Sequence, residues 1–169
     1  MPQLKLTNLA SYKQYWQDIA TKHKLLNGAS YYGDKDVVSN ELRSNAKTLF
    51  LWITPYPGTK YGDQLSDNIV KKKTATVAVM KKVDDNKFAT VENTFQYCEA
   101  IVEDIVSKLI KDNAGEDVSG VWTMISINTN TIQSQPVEQI FGSLHYIGCE
   151  LSVEFNDNTA LQYDASKWN

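Results

Sequence analysis

Phe141-Gly-Ser-Leu-His-Tyr-Ile-Gly-Cys-Glu-Leu-Ser-Val-Glu-Phe155 decides the fold of this chain, because its odd positions are far more apolar than its even ones. Phe141, Ile147, Cys149, Leu151, Val153 and Phe155 fall on one side, with Ser143 and His145 the polar exceptions. A two-residue period marks a strand with one buried and one wet face. Read as one strand at about 3.3 Å per residue, the run reaches roughly 50 Å, well beyond an ordinary strand. It must bend or project beyond its own core.

Working back from this run, Thr129 to Pro136 reads as a polar excursion and Val121 to Ile127 as a shorter strand. The strongest helical pattern lies before them. Val91, Phe95, Cys98, Val102, Ile105 and Leu109 form a continuous stripe over 91–111, with Thr90 as a cap and Asn113-Ala-Gly115 as the stop. Thr74 to Met80 is the clear centre of a strand over 68–83 that is lysine-rich at both ends and closed by Asp84-Asp-Asn86. Thr48 to Thr54 is apolar on both faces and belongs inside a sheet, and Pro55-Tyr-Pro-Gly58 breaks it.

At the other end, Leu9, Tyr12, Trp16, Ile19, His23 and Leu26 share a helical face that starts after Thr7 or Asn8 and stops at Asn27-Gly28. Ala29 to Asn45 reads as a turn with a weak edge segment, and Asp157 to Asn169 as a short tail. The expected order is α-β-β-α-β-β: a single α+β domain over residues 1–169, mainly antiparallel, with two long helices on one face of the sheet.

The 169 residues, 42% hydrophobic and 22% charged, suit one ordinary globular core. A net charge of −3 argues against a protein that coats nucleic acid non-specifically. The charge is uneven, however, because 60–90 holds seven lysines against four aspartates. Cys98 and Cys149 sit among apolar periodic positions and read as reduced core cysteines, a disulfide being the lesser alternative. The opening Met1-Pro-Gln-Leu-Lys-Leu6 lacks an apolar signal core, and no window approaches eighteen apolar residues. The expectation is a cytoplasmic protein without a membrane span.

Signs of catalysis are sparse in the sequence. His23 and His145 are the two histidines, and a Cys98–His145 dyad would need a thiol taken from the apolar stripe. Metal-ligand spacings, phosphate-binding glycine loops and a nucleophile elbow are all missing. Asp84/Asp85 and Glu103/Asp104 read as solvated pairs. The expectation is no enzyme, no cofactor and no metal.

Two groups of residues suit interaction instead. Lys71, Lys72, Lys73, Lys81 and Lys82 bracket one strand and could line a basic rim facing nucleic-acid phosphates, or simply guard a sheet edge. Tyr56, Tyr61, Tyr163 and Trp168 fall in loops or the tail, where aromatic side chains anchor interfaces or pack over the core.

The hairpin of Leu49 to Ile53 with Thr74 to Met80, the helix from Val91 to Leu109, and the Gly148-Cys-Glu-Leu-Ser-Val-Glu-Phe155 ending with Tyr163 and Trp168 together resemble phage tail-terminator or tail-completion proteins. The resemblance implies a non-enzymatic virion component. It implies a homo-oligomeric ring, commonly sixfold, that meets tail-tube and head-connector proteins and has a lumen through which DNA passes. Two other readings stay open: a ligand-binding domain with an apolar pocket between the second helix and the sheet, and an enzyme whose carboxylates meet only in three dimensions.

Overall fold

The computed structural model describes residues 9–45, 47–55, 59–61, 71–83, 88–113 and 127–157. Along the chain these form α1 (Leu9–Lys22), β1 (Ser30–Tyr32), α2 (Lys35–Ser44), β2 (Leu49–Ile53), β3 (Thr59–Tyr61), β4 (Lys71–Lys82), α3 (Phe88–Asn113), β5 (Ile127–Phe141) and β6 (Leu144–Asp157). The class is α+β, as the alternating strands and striped helices require. Among the described residues, six strands make one sheet in the order β1-β2-β4-β6-β5, with β3 paired to β4 beyond the end of β2. Of these pairings, β1 with β2 is parallel and the others are antiparallel.

Phe141 to Phe155 is not one strand. Gly142-Ser143 turns the chain through a two-residue loop, with Phe141 opposite Leu144 and Gly142 at φ 63°. A glycine at the first central position is what a tight primed turn needs, because an L side chain there would be strained. Residues 129–136, expected as an excursion, therefore lie inside β5. Nor does the last strand project: β6 is held between β4 and β5 along its length. Tyr61, expected in a loop, ends β3. Val121 to Ser126, Tyr56, and the tail carrying Tyr163 and Trp168 lie outside the described residues.

The helices also depart from expectation in number and placement. Ala29 to Asn45 holds β1 and α2 rather than a weak edge segment. Asp34 caps α2 by accepting the Val37 amide at 3.0 Å, and Val38 and Leu42, one turn apart, lead its buried face. Thr90 lies inside α3 rather than capping it. The helices do not all share one face: α1 and α3 cover one side of the sheet, and α2 covers part of the other.

Strand alternation separates the two cores. Odd residues of β2, β4 and β6 (Leu51, Ile53, Ala75, Val77, Val79, Cys149, Leu151, Val153, Phe155) meet Tyr12, Trp16 and Ile19 of α1 and Cys98, Ile101, Val102, Ile105 and Leu109 of α3. Even residues (Phe50, Trp52, Ala78, Met80, Tyr146) meet Val38 and Leu42 of α2, with Tyr31 and Phe141. Each fully buried aliphatic of this kind contributes about 1.5–3 kcal/mol.

Several buried aromatic residues have satisfied polar ends. Tyr12 OH donates to Thr54 O at 3.0 Å, Tyr15 OH to Asp112 Oδ2 at 2.8 Å, Trp52 Nε1 to Gly33 O at 2.9 Å, and Tyr146 OH to Lys47 O at 2.9 Å. Trp16 Nε1 is the contrast, buried with no acceptor among the described residues. Among the described residues no helix is long and apolar enough to cross a membrane.

Candidate functional site

The lysines come apart in space. Lys71, Lys72 and Lys73 sit where β4 is flanked by β3 and the end of β6, opposite Tyr61, Lys60 and Thr59 on one side and Asp157, Asn156 and Phe155 on the other. Lys81 and Lys82 lie at the far end of β4, roughly 30 Å away at strand rise. Lys72 and Lys73 are half-buried and alternate to opposite faces. No single basic rim results; Lys81 instead places its ammonium 4.3 Å from the ring centre of Tyr97 on α3.

What gathers near Lys81 and Lys82 is the β5–β6 turn. Lys82, Val83, Glu138, Ile140, Ser143, Leu144 and His145 line a shallow depression of about 450 Å³. His145 Nε2 donates to Glu138 Oε1 at 2.7 Å, which holds the imidazole beside the carboxylate. Ile140 is 54% exposed, and Tyr97 37%. An aliphatic side chain that open, beside charges already fixed in place, suits an interface better than a reaction.

Among the described residues, the outer side of β5 at this end meets no further strand. Residues flanking a two-residue turn bond to each other, so Phe141, Gln139, Val137 and Gln135 direct their amides and carbonyls toward β6. The same phase turns His145 toward β4, where its carbonyl accepts the Val83 amide at 3.0 Å. Ile140, Glu138, Pro136 and Ser134 accordingly face outward. Pro136 occupies a position whose N–H would have pointed to solvent, so β5 tolerates proline in mid-strand without losing a bond to β6.

Farther along, the register slips between the Asn128–Glu154 and Gln133–Ser152 pairs, so that residues 129–132 of β5 stand against Val153 alone. Thr131 Oγ1 accepts the Glu154 amide at 3.0 Å where the ladder is interrupted. The outer edge is thus divided by a proline and a bulge. Its regular outward donors nearest the turn are Glu138 and Ile140.

The thiols and carboxylates do not form a reactive centre among the described residues. Cys98 Sγ–H points to Ile147 O at 3.8 Å, not to His145. Burial pushes the Cys98 thiol up to about 12, against a smaller lowering by Lys81. Cys149 is raised to about 11, by burial first and then by the Glu99 charge. Both are free thiols. Among the described residues one carboxylate is fully buried, that of Asp112, which is held by Tyr15 OH and by Lys108 one turn away on α3. Side chains of α3 and the sheet pack together in one buried cluster.

Sequence reasoning does not single out Pro136, Glu138 or Ile140, and it reaches His145 only as a partner for Cys98. The signal that leads to all four is the Gly142-Ser143 dipeptide between two alternating runs. No protein-family model matches the sequence, and no curated protein matches it.

Proposed function

We propose that this chain is a non-enzymatic structural protein that assembles with its own copies through the β5–β6 turn. In the form the tail-terminator resemblance implies, it is a virion component, a ring that ends or joins a phage or prophage tail tube and meets the head connector. The observation that carries the assembly reading is the exposure of Ile140 on an edge strand, beside the fixed His145–Glu138 pair and the Lys81–Tyr97 contact. A ring needs two different patches on each copy, and a turn standing at one end of the sheet can supply one of them. Lys71, Lys72 and Lys73, at the opposite end of β4, then mark the end of the sheet that would face a DNA-bearing lumen.

Sedimentation velocity and native mass spectrometry over a wide concentration range test this reading. A mass that grows with concentration, or on addition of tail tubes, and that Ile140→Asp reduces, is the expected result. A single-subunit mass under every condition would reject it. Charge reversal of Lys71, Lys72 and Lys73 together should lower particle yield, and an unchanged yield removes DNA from the picture.

The second reading, a small-ligand site, draws on the volume of the same depression, which lies within the range of such sites. Retention of a small molecule by a strictly monomeric species would favour it.

A further inference from the structure

We infer that the outer edge of β5 in one copy pairs with the outer edge of β1 in a second copy, so that the sheet continues from subunit to subunit. This rests on the assembly reading above and names the surface that receives β5.

Strand phase selects β1. Among the described residues, β1 and β5 are the two ends of the sheet. The Ala29 carbonyl accepts the Leu51 amide at 3.0 Å and the Gly33 amide donates to Ile53 O at 3.1 Å, so this alternate set is bonded toward β2. Ser30 and Tyr32 therefore direct their amides and carbonyls outward, as Glu138 and Ile140 do on β5. Their side chains agree as well. Ser30 and Tyr32 are in register with Leu51 and Ile53, and Glu138 and Ile140 are in phase with Pro136 opposite Cys149, so all four lie on the α1 and α3 face. Opposed residues of an antiparallel pair share a face, which lets these edges join with both copies the same way up.

Direction and length agree with phase. β1, β2 and β6 run one way, β4 and β5 the other. A second copy set beside the first without inversion, as in a ring, brings its β1 antiparallel to β5. The outward residues of β1, Ser30 and Tyr32, match in number those of β5 between Pro136 and the Gly142 turn. Ser30 opposite Ile140 and Tyr32 opposite Glu138 uses all of them, and Pro136, lacking an N–H, stops the ladder where β1 ends.

Charge supports this register. Lys13 of α1 stands over Tyr32, its Nζ 5.2 Å from the ring centre. Across the pairing it comes beside Glu138, which is 67% exposed and has a carboxylate oxygen beyond the one that His145 holds. Asp34, the next acid along the chain from β1, turns its carboxylate to the Val37 amide of α2. Ile140 meets the Ser30 end, where the turn into β1 carries exposed Leu25. A second β5 would offer Glu138 no cation at its own outward positions, Ser134, Pro136, Glu138 and Ile140.

Cysteine cross-linking reads the register directly. Ser30→Cys and Ile140→Cys chains, mixed and treated with oxidised glutathione, should give a covalent dimer, because opposed Cα atoms in such a pair are about 5.5 Å apart, within reach of a disulfide. Each variant alone should give little, as should Tyr32→Cys mixed with Ile140→Cys, which is out of register. Cys98 and Cys149 are buried and stay silent. Ser30→Pro removes an outward N–H and no bond to β2, so it should weaken association about tenfold without lowering the melting temperature. If Ser30→Pro melts early, the cysteine mixture alone decides.

A mixture that cross-links no better than its separate components, or a folded Ser30→Pro that assembles like the wild type, would overturn the pairing while leaving assembly itself standing. A wild-type chain that never assembles would overturn both, and the wild-type mass alone tells the two failures apart.

Discussion

On one face of β4 and β6, Ala75, Val77, Val79, Cys149, Leu151, Val153 and Phe155 lie under α1 and α3 without a break, whereas on the other only Ala78, Met80 and Tyr146 lie under α2. Thr74, Thr76, Glu150, Ser152 and Glu154, on the part of that second face that no described helix covers, are half-buried. The first core is mostly aliphatic along the strands and carries the helices. The second is aromatic and local: Phe50 stacks edge-on to Tyr31, Phe141 and Tyr146 at 5.0, 6.0 and 5.3 Å between ring centres, and Trp52 to Phe141 at 5.2 Å. Such pairs add about 0.5–1.5 kcal/mol each beyond burial. The difference assigns the two faces separate tasks. One stabilises the domain, and the other pins Phe141, hence the β5–β6 turn, against α2 and β2.

The sharpest way to break the arrangement is at Gly148, where both faces depend on how closely β4 approaches β6. A Cβ added there would meet Val79 O at 2.0 Å and Met80 Sδ at 2.9 Å, and a backbone carbonyl in the middle of a ladder cannot give way. Gly148→Val should cost about 3 kcal/mol or more, read from urea denaturation followed by circular dichroism. A loss under about 0.5 kcal/mol would mean the strands are not this close.

The two faces can then be set against each other within β6. Leu151→Ala removes a side chain buried under α3 and should cost about 3 kcal/mol. Ser152→Val, next to it in sequence and on the face that no described helix covers there, should change stability by no more than about 0.5 kcal/mol. Equal effects would show that something covers both faces alike.

The same alternation explains what could be read before any coordinates. Period-two runs in 74–80 and 144–155 and the stripe of α3 were legible because each has one long buried face. The α2 segment was not, since its buried face over ten residues is two apolar side chains and a serine, and its clearest marker, the Asp34 cap, is a single residue. Tertiary packing against Phe50, Trp52 and Tyr146 makes that helix, rather than its own pattern. The mid-strand stretch Gln133-Ser-Gln-Pro136 was unreadable as a strand for a related reason. An edge strand exposed on both sides keeps no hydrophobic period, and its proline argues for a loop until the outward phase of position 136 is known. Without that turn the candidate surface could not be assembled from sequence.

Pro136 gives a smaller, more specific effect. Pro136→Thr adds an outward N–H beside those of Ser134 and Glu138 and completes a row that another strand can pair with. Stability should shift by less than about 0.5 kcal/mol, because no bond to β6 changes. Association through the edge should rise, seen as larger species at a given concentration and as slow growth of thioflavin-positive material. A variant with wild-type solubility and mass would show that the proline does not guard the edge.

The least disruptive comparison lies inside the aliphatic core, between its two thiols in the folded and the unfolded chain. Both start from an ordinary 9.0 and are raised by burial, Cys98 to about 12 and Cys149 to about 11. The thiolate is the reactive form, so at about pH 8.5 the folded Cys149 should hold a thiolate fraction about a hundredfold below that of the unfolded chain, and Cys98 less still. Iodoacetamide should label neither in native buffer and both in urea, as intact mass would record.

The linked effect on stability follows in sign. A raised folded pKa means the fold favours the protonated thiol, so this contribution is whole below pH 9 and is lost as pH rises toward 11 and 12. Urea midpoints should therefore fall between about pH 8 and pH 10. A Cys98→Ala/Cys149→Ala variant, weaker at the lower pH for lack of packing, should show a shallower fall, because lysines and tyrosines titrating nearby contribute equally to both proteins. An equal slope would place the thiols in contact with water, and with them the interface between α3 and β6.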